Sequence, residues 1–116
     1  MLKTKYTSRI VSAAASTNAT LAKGSTGTLM NLQAYNTSAT AKYLKLYNKA
    51  SAPTVGTDTP VLTIALPPTA ATNISFNGGY YFSVGIAYAI TGAAADADTT
   101  ALLAGDVVAV NVNYSE

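Results

Sequence analysis

Apolar and polar residues alternate with a period of two along most of the chain, the pattern of strands with one face in a core and the other outside it. In TLMNLQAYN, Met30, Leu32 and Ala34 share a side opposite Asn31, Gln33 and Tyr35; in KYLKLYN, Leu44 and Leu46 oppose Tyr43, Lys45 and Tyr47. PVLTIALPP sets Leu62, Ile64 and Leu66 against Val61, Thr63 and Ala65, starting after one proline and ending at two, as suits a strand that cannot extend further. TNISFNGGYYFSVGIAYAIT reads as a hairpin: Ile74 and Phe76 lead into Asn77-Gly78-Gly79, and Phe82, Val84, Ile86, Tyr88 and Ile90 form one face of the return strand. DVVAVNVNY closes the series with Val108, Val110, Val112 and Tyr114 on one face and Val107, Ala109, Asn111 and Asn113 on the other.

Two weaker strands, around Arg9 to Ala13 and Ala19 to Lys23, bring the total to about eight, with turn signals every 8 to 12 residues or so. The expected fold is all-β: a single-domain antiparallel β-sandwich or jelly roll. Helix competes only in AAADADTTALLAG, where one short turn is expected around Thr100 to Leu103. The segment Leu46 to Pro60 is a shaped connection. Pro53 fixes φ, Gly56 admits positive φ, and Asp58-Thr59 before Pro60 favours a turn that releases an extended strand. Its Ala-Pro-Thr-Val tip, with Pro53 and Val55, is expected to be exposed and to touch a neighbour.

Composition narrows the chemistry. A chain of 116 residues makes one domain, which at this size removes roughly 65% of its unfolded surface from water. With no cysteine and no histidine, it lacks disulfides, thiol nucleophiles, the commonest general base and the commonest transition-metal ligand. Asp96-Ala97-Asp98 with Asp106 is the only acidic group that invites a calcium or glycosidase reading. It lacks the further oxygens a calcium loop needs and the aromatic platforms of a sugar cleft. No G-x-S-x-G or S-x-x-K motif supports a serine nucleophile, and Gly24-Ser25-Thr26-Gly27 has neither the lysine nor the helix of a phosphate loop. Neither enzyme activity nor a cofactor is expected.

Charged residues make up only 10% of the chain, and the net charge is +2. That balance does not advertise nucleic acid, and so bland a surface is expected to be covered in part by other subunits. No segment approaches the roughly 20 apolar residues of a membrane span, and IVSAAAS is too short and serine-rich for the core of a signal peptide. The N-x-S/T matches at Asn18, Asn36, Asn73 and Asn113 carry little weight in so Thr-rich and Asn-rich a chain. Lys3, Lys5, Tyr6 and Arg9 lie in MLKTKYTSRI, so residues 1–9 read either as a basic arm reaching an acidic neighbour, ahead of a sandwich domain at 10–116, or as an ordinary polar terminus. Tyr43, Lys45 and Tyr47 read either as a flat amphipathic contact patch or as part of an aromatic ladder within the fold.

SRIVSAAASTNAT, YLKLYNKASAPTVGTDTPVLTIALP, FSVGIAYAITGAAADADTTALLAGDV and the terminal VNVNY together resemble a group of small virion proteins encoded by tailed bacteriophages and prophages. The resemblance covers nearly the whole chain and rests mostly on strand and turn residues. It implies a β-sandwich structural protein, a capsid decoration (cement) protein on the outer capsid surface. The major capsid protein and two further copies in a homotrimer would be its partners; nucleic acid and membrane would not. The alternative is a tail-fibre or baseplate module that recognises a host-surface sugar or protein, with Tyr80 and Tyr81 beside Asn77 as the local cluster suited to it.

Overall fold

The computed structural model describes residues 5–116 and contains eight strands: β1 (Lys5–Ile10), β2 (Thr20–Lys23), β3 (Gly27–Asn36), β4 (Lys42–Asn48), β5 (Leu62–Leu66), β6 (Ala70–Phe82), β7 (Ile86–Thr91) and β8 (Val107–Ser115). They form two antiparallel sheets of four, in the orders β1-β8-β3-β6 and β2-β7-β4-β5. The pairing is nested: β4 with β5, β3 with β6, β2 with β7 and β1 with β8. This is the jelly-roll arrangement, in which one long folded ribbon wraps into a two-layered sandwich.

Alternation decides which side chains meet between the layers. Leu29, Leu32 and Ala34 of β3 and Val107, Val110 and Val112 of β8 face Leu44 and Leu46 of β4, Leu66 of β5, and Ile86, Tyr88 and Ile90 of β7. Full burial of each large member is worth about 1.5–3 kcal/mol. Polar groups stitch the layers where the core thins. Tyr88 shares a 2.8 Å hydrogen bond with Ser8, and the Tyr114 hydroxyl donates to the Ala22 carbonyl at 3.0 Å, tying β1 and β8 to β7 and β2. At the opposite side the buried Asn36 amide donates to Thr40 O and Leu66 O, both at 2.9 Å, and accepts from the Ser38 backbone and hydroxyl.

Sequence expectations need correction at several places: register shifts in β3 and β8 put Leu29 rather than Met30, and Val107 rather than Val108, in the core. Asn77-Gly78-Gly79 is not a hairpin turn. The chain bulges and then resumes pairing with the same neighbour, so Ser75 faces Asn31 and Tyr80 faces Leu29. Gly78 and Gly79, at φ 80° and 87°, provide the conformation, and the glycine signal marks an outward bulge in a strand that continues. Thr100 to Leu103 is not helical. Leu102 forms a bridge with Ser16 and buries its side chain in the core, a tertiary contact that overrides local helix propensity. Of the segment 1–9, residues 1–4 lie outside the described residues, while Lys5 to Ile10 form β1 and pair in unbroken register with Ser115 to Val110.

The true reversal lies at Ser83-Val84-Gly85, where the chain crosses between the sheets. Asn48 Oδ1 accepts from Val84 N at 2.9 Å, and its amide donates to Ser83 Oγ at 3.0 Å. A Cβ at Gly85 would collide with the Lys49 carbonyl, with Lys23 O at 2.8 Å and with Ala50 Cα at 2.9 Å. All three are backbone atoms that cannot swing aside. Gly85→Ala is therefore expected to cost about 1–3 kcal/mol. Gly24→Ala, whose added methyl would meet its neighbours at an ordinary 3.7 Å, should stay within about 0.5 kcal/mol. Urea denaturation of the two variants checks both values.

Candidate functional site

Two surfaces of the second sheet bear on function: its outer face and its free edge. The outer face is closed over β4 and β7. β7 is buried on both sides, with Ile86, Tyr88 and Ile90 inward and Ala87, Ala89 and Thr91 outward. The small outward residues flank the large ones of β4, Tyr47 opposite Ala87 and Lys45 opposite Ala89. The connections 49–61 and 92–106 descend onto this surface. Val55 packs on Tyr47, Ala87 and Ala89, while Lys45 Nζ donates to the Ala95 carbonyl at 2.6 Å. The connections also meet each other, since a Cβ on Gly56 would lie 2.6 Å from Thr99 Cγ2.

Carboxylates hold each connection in shape. Asp58 accepts from Lys49 Nζ at 2.5 Å and from Thr54 N at 2.7 Å, and this hydrogen bonding, first of all from Lys49, lowers its pKa. At Asp98 burial pulls the pKa upward. Hydrogen bonds from the Thr100 hydroxyl, Thr100 N and Ala93 N, together with the charge of Lys45, outweigh it and leave the group lowered. Asp106 accepts from Leu103 N and lies 3.7 Å from Lys42 Nζ. Asp98 and Asp106 thus act as turn staples, and no group of three or more potential metal ligands occurs among the described residues. Between the two connections and residues 15–19 lies an open cleft of about 420 Å³, lined by Pro53, Val55, Thr99 and other small uncharged residues.

The free edge differs from one side of the sandwich to the other. On one side β1 and β2 carry Lys5, Arg9 and Lys23. On the other, β5 and β6 lie together, and neither contains a charged residue. The chain has no charge anywhere between Asp58 and Asp96. One lateral side therefore presents two edge strands without the cations that normally guard such edges.

The residues singled out from sequence are dispersed. Lys3 lies outside the described residues. Lys5 and Arg9 are exposed on β1, whereas Tyr6 stacks on Tyr114 at 5.5 Å and donates to Glu116 Oε1. The patch expected from Tyr43, Lys45 and Tyr47 is not a surface, because Lys45 and Tyr47 are 0% and 1% exposed and Tyr43 is half-buried. Pro53 is buried and Val55 half-buried as part of that cover, so the expected exposed tip is reduced to Ala52 and Thr54. Sequence reasoning missed this cover, and the signal for it was β7: Ile-Ala-Tyr-Ala-Ile-Thr has no charged or strongly polar face, as expected of a strand buried on both sides. Comparison with protein-family models, curated proteins and solved structures finds no match.

The Tyr47 hydroxyl is buried without a hydrogen-bond partner among the described residues. Burial raises its pKa, reinforced by the negative charges of Asp58 and Asp96, and burial likewise raises that of Tyr88. Both groups hold their protons more tightly folded than unfolded. The stability this contributes is intact below about pH 10 and is lost as pH rises through the folded values. Tyr47→Phe should stabilise the protein by up to about 1 kcal/mol, since it deletes an unsatisfied hydroxyl, and should soften the alkaline decline. Tyr47→Ser should cost about 3 kcal/mol or more through the cavity it leaves. Urea denaturation at neutral and alkaline pH reads both effects.

Proposed function

We propose that the chain is a non-enzymatic structural protein of a virion, a capsid decoration (cement) protein that binds across neighbouring capsid subunits and joins copies of itself in a homotrimer. The observation that carries this reading is the pair of uncharged edge strands, β5 and β6, on one side of the jelly roll. An uncharged edge invites another strand and is a liability for a free monomer; in an assembly it is covered. A protein that binds the assembled lattice and not its separate subunits stabilises that lattice by mass action, and the task needs no reactive group. The basic β1 edge, with Lys5 and Arg9, supplies a complementary surface for an acidic neighbour. A second reading, a tail-fibre or baseplate recognition module, is favoured by Tyr81, which is 65% exposed beside the Asn77-Gly78-Gly79 bulge.

Quantitative mass spectrometry of purified particles separates the two. Decoration requires a copy number that scales with that of the major capsid protein, whereas copies confined to tail stoichiometry would overturn it. Within the decoration reading, Thr63→Lys with Ser75→Lys places a cation on each uncharged edge. Both positions are exposed, so the fold should change by no more than about 0.5 kcal/mol while particle occupancy falls. Unchanged occupancy would remove these edges from the interface. Charge reversal at Lys5 and Arg9 tests the opposite edge without deleting a strand of the sheet.

A further inference from the structure

The outer face of the β1-β8-β3-β6 sheet contains a shallow depression of about 240 Å³ lined by Gln33, Tyr35, Ala71, Asn73, Ala109 and Asn111. Its shape originates in the backbone. The register of β3 against β8 slips between Gln33 and Tyr35, and Ala109, opposite the slip, adopts φ 51°. Left-handed backbone at an alanine is strained, and bulges of this type re-aim side chains where they occur. Ala71 and Ala109 contribute only methyl groups beside the lowered backbone.

Three primary amides cross this surface in one row. Gln33 on β3 lies opposite Asn73 on β6 and Asn111 on β8. Asn111 Nδ2 is anchored on Ala109 O at 3.1 Å and reaches Gln33 Oε1 at 3.5 Å. The Gln33 amide nitrogen and the Asn73 amide have no partner within the described residues. In the adjoining row Tyr35, 38% exposed, stands opposite Ala71. The site thus combines an aromatic ring, a small-residue floor and unspent amide donors and acceptors, with no ionised group in its lining.

We propose that this depression is a binding subsite for a neutral glycan. A pyranose ring has an apolar face that packs on an aromatic ring. Its adjacent hydroxyls each donate and accept, as primary amides do. An anionic ligand would find only Arg9, opposite Asn111 at the end of the row, and nucleic acid would lack the cationic track its phosphates require. A single shallow subsite binds weakly, and many copies displayed together would convert weak contacts into avidity. The inference does not require the virion reading, since it rests on outward side chains of the sheet, although Ala71 and Asn73 belong to the edge strand β6.

Titration of the isotopically labelled protein with maltotriose, chitotriose and N-acetyllactosamine, followed by amide NMR, tests it. Saturable shifts with at least one of these saccharides are expected at the side-chain amides of Gln33, Asn73 and Asn111 and around Tyr35. Tyr35→Ala and Asn73→Ala should each weaken binding by about tenfold or more with the remaining spectrum unchanged, while Tyr35→Phe keeps it. No saturable shift at millimolar saccharide, or shifts confined to the Tyr80–Tyr81 region and insensitive to Tyr35→Ala, would overturn the assignment.

Discussion

The closure of two connections over the β4–β7 pair is the contact on which the rest of this structure depends. The β4–β7 pair at the centre of one layer is buried on both faces, so Lys45 and Tyr47 reside where strand alternation alone would place solvent. The contact is built for that purpose. Ala87 and Ala89 leave room, Val55 fills it, and Lys45 reaches the Ala95 carbonyl. A buried ammonium is expensive, and the Ala95 carbonyl and the charge of Asp98 offset that cost only while the 92–106 connection remains in place. The Asp58 and Asp98 staples then set the shape of two segments that contain no helix and no strand of their own.

This closure redistributes the accessible surfaces. With the outer face of β4 and β7 covered, the exposed strand features are the outer face of the other sheet and the edge strands. The edges divide by charge, with Lys5, Arg9 and Lys23 on one side and none on the other. The open sheet face divides by chemistry, since its central rows carry amides and hydroxyls. Thr7 donates to Asn113 at 2.6 Å, and Asn113 bonds to Asn31, giving a preorganised row beside the bulge at Ala109. The lateral side proposed for assembly and the face proposed for a neutral ligand meet at β6, which supplies an edge to the one and Ala71 and Asn73 to the other.

Much of the fold was legible in the sequence, for a physical reason. The existence of β3, β4, β5 and β8 follows from local pattern, and so do the inward faces of β4 and β5; on β3 and β8 the register shifts change the phase, so Leu29 rather than Met30 and Val107 rather than Val108 enter the core. What was not legible depends on contacts between distant residues. Gly78-Gly79 permits a turn and a bulge equally; the choice belongs to β3, which offers Leu29 to Tyr80 after pairing Asn31 with Ser75. Thr100 to Leu103 could wind locally, but Leu102 is captured by the core and by Ser16. Lys45 and Tyr47 look solvent-facing on β4, and only the cover reverses that. For the candidate site, the exposure of Lys5 and Arg9 was legible; the uncharged edges were not, because a strand's place at a sheet edge is a property of topology.

The central claim is the cover itself, and residue-resolved lysine acetylation of the folded protein tests it most directly. Lys45 should remain unmodified while Lys5 and Lys23 react, and should become reactive only when the protein is unfolded. Acetylation of Lys45 at the rate of Lys5 under native conditions would show that the outer face of the second sheet is open, and would contradict the account.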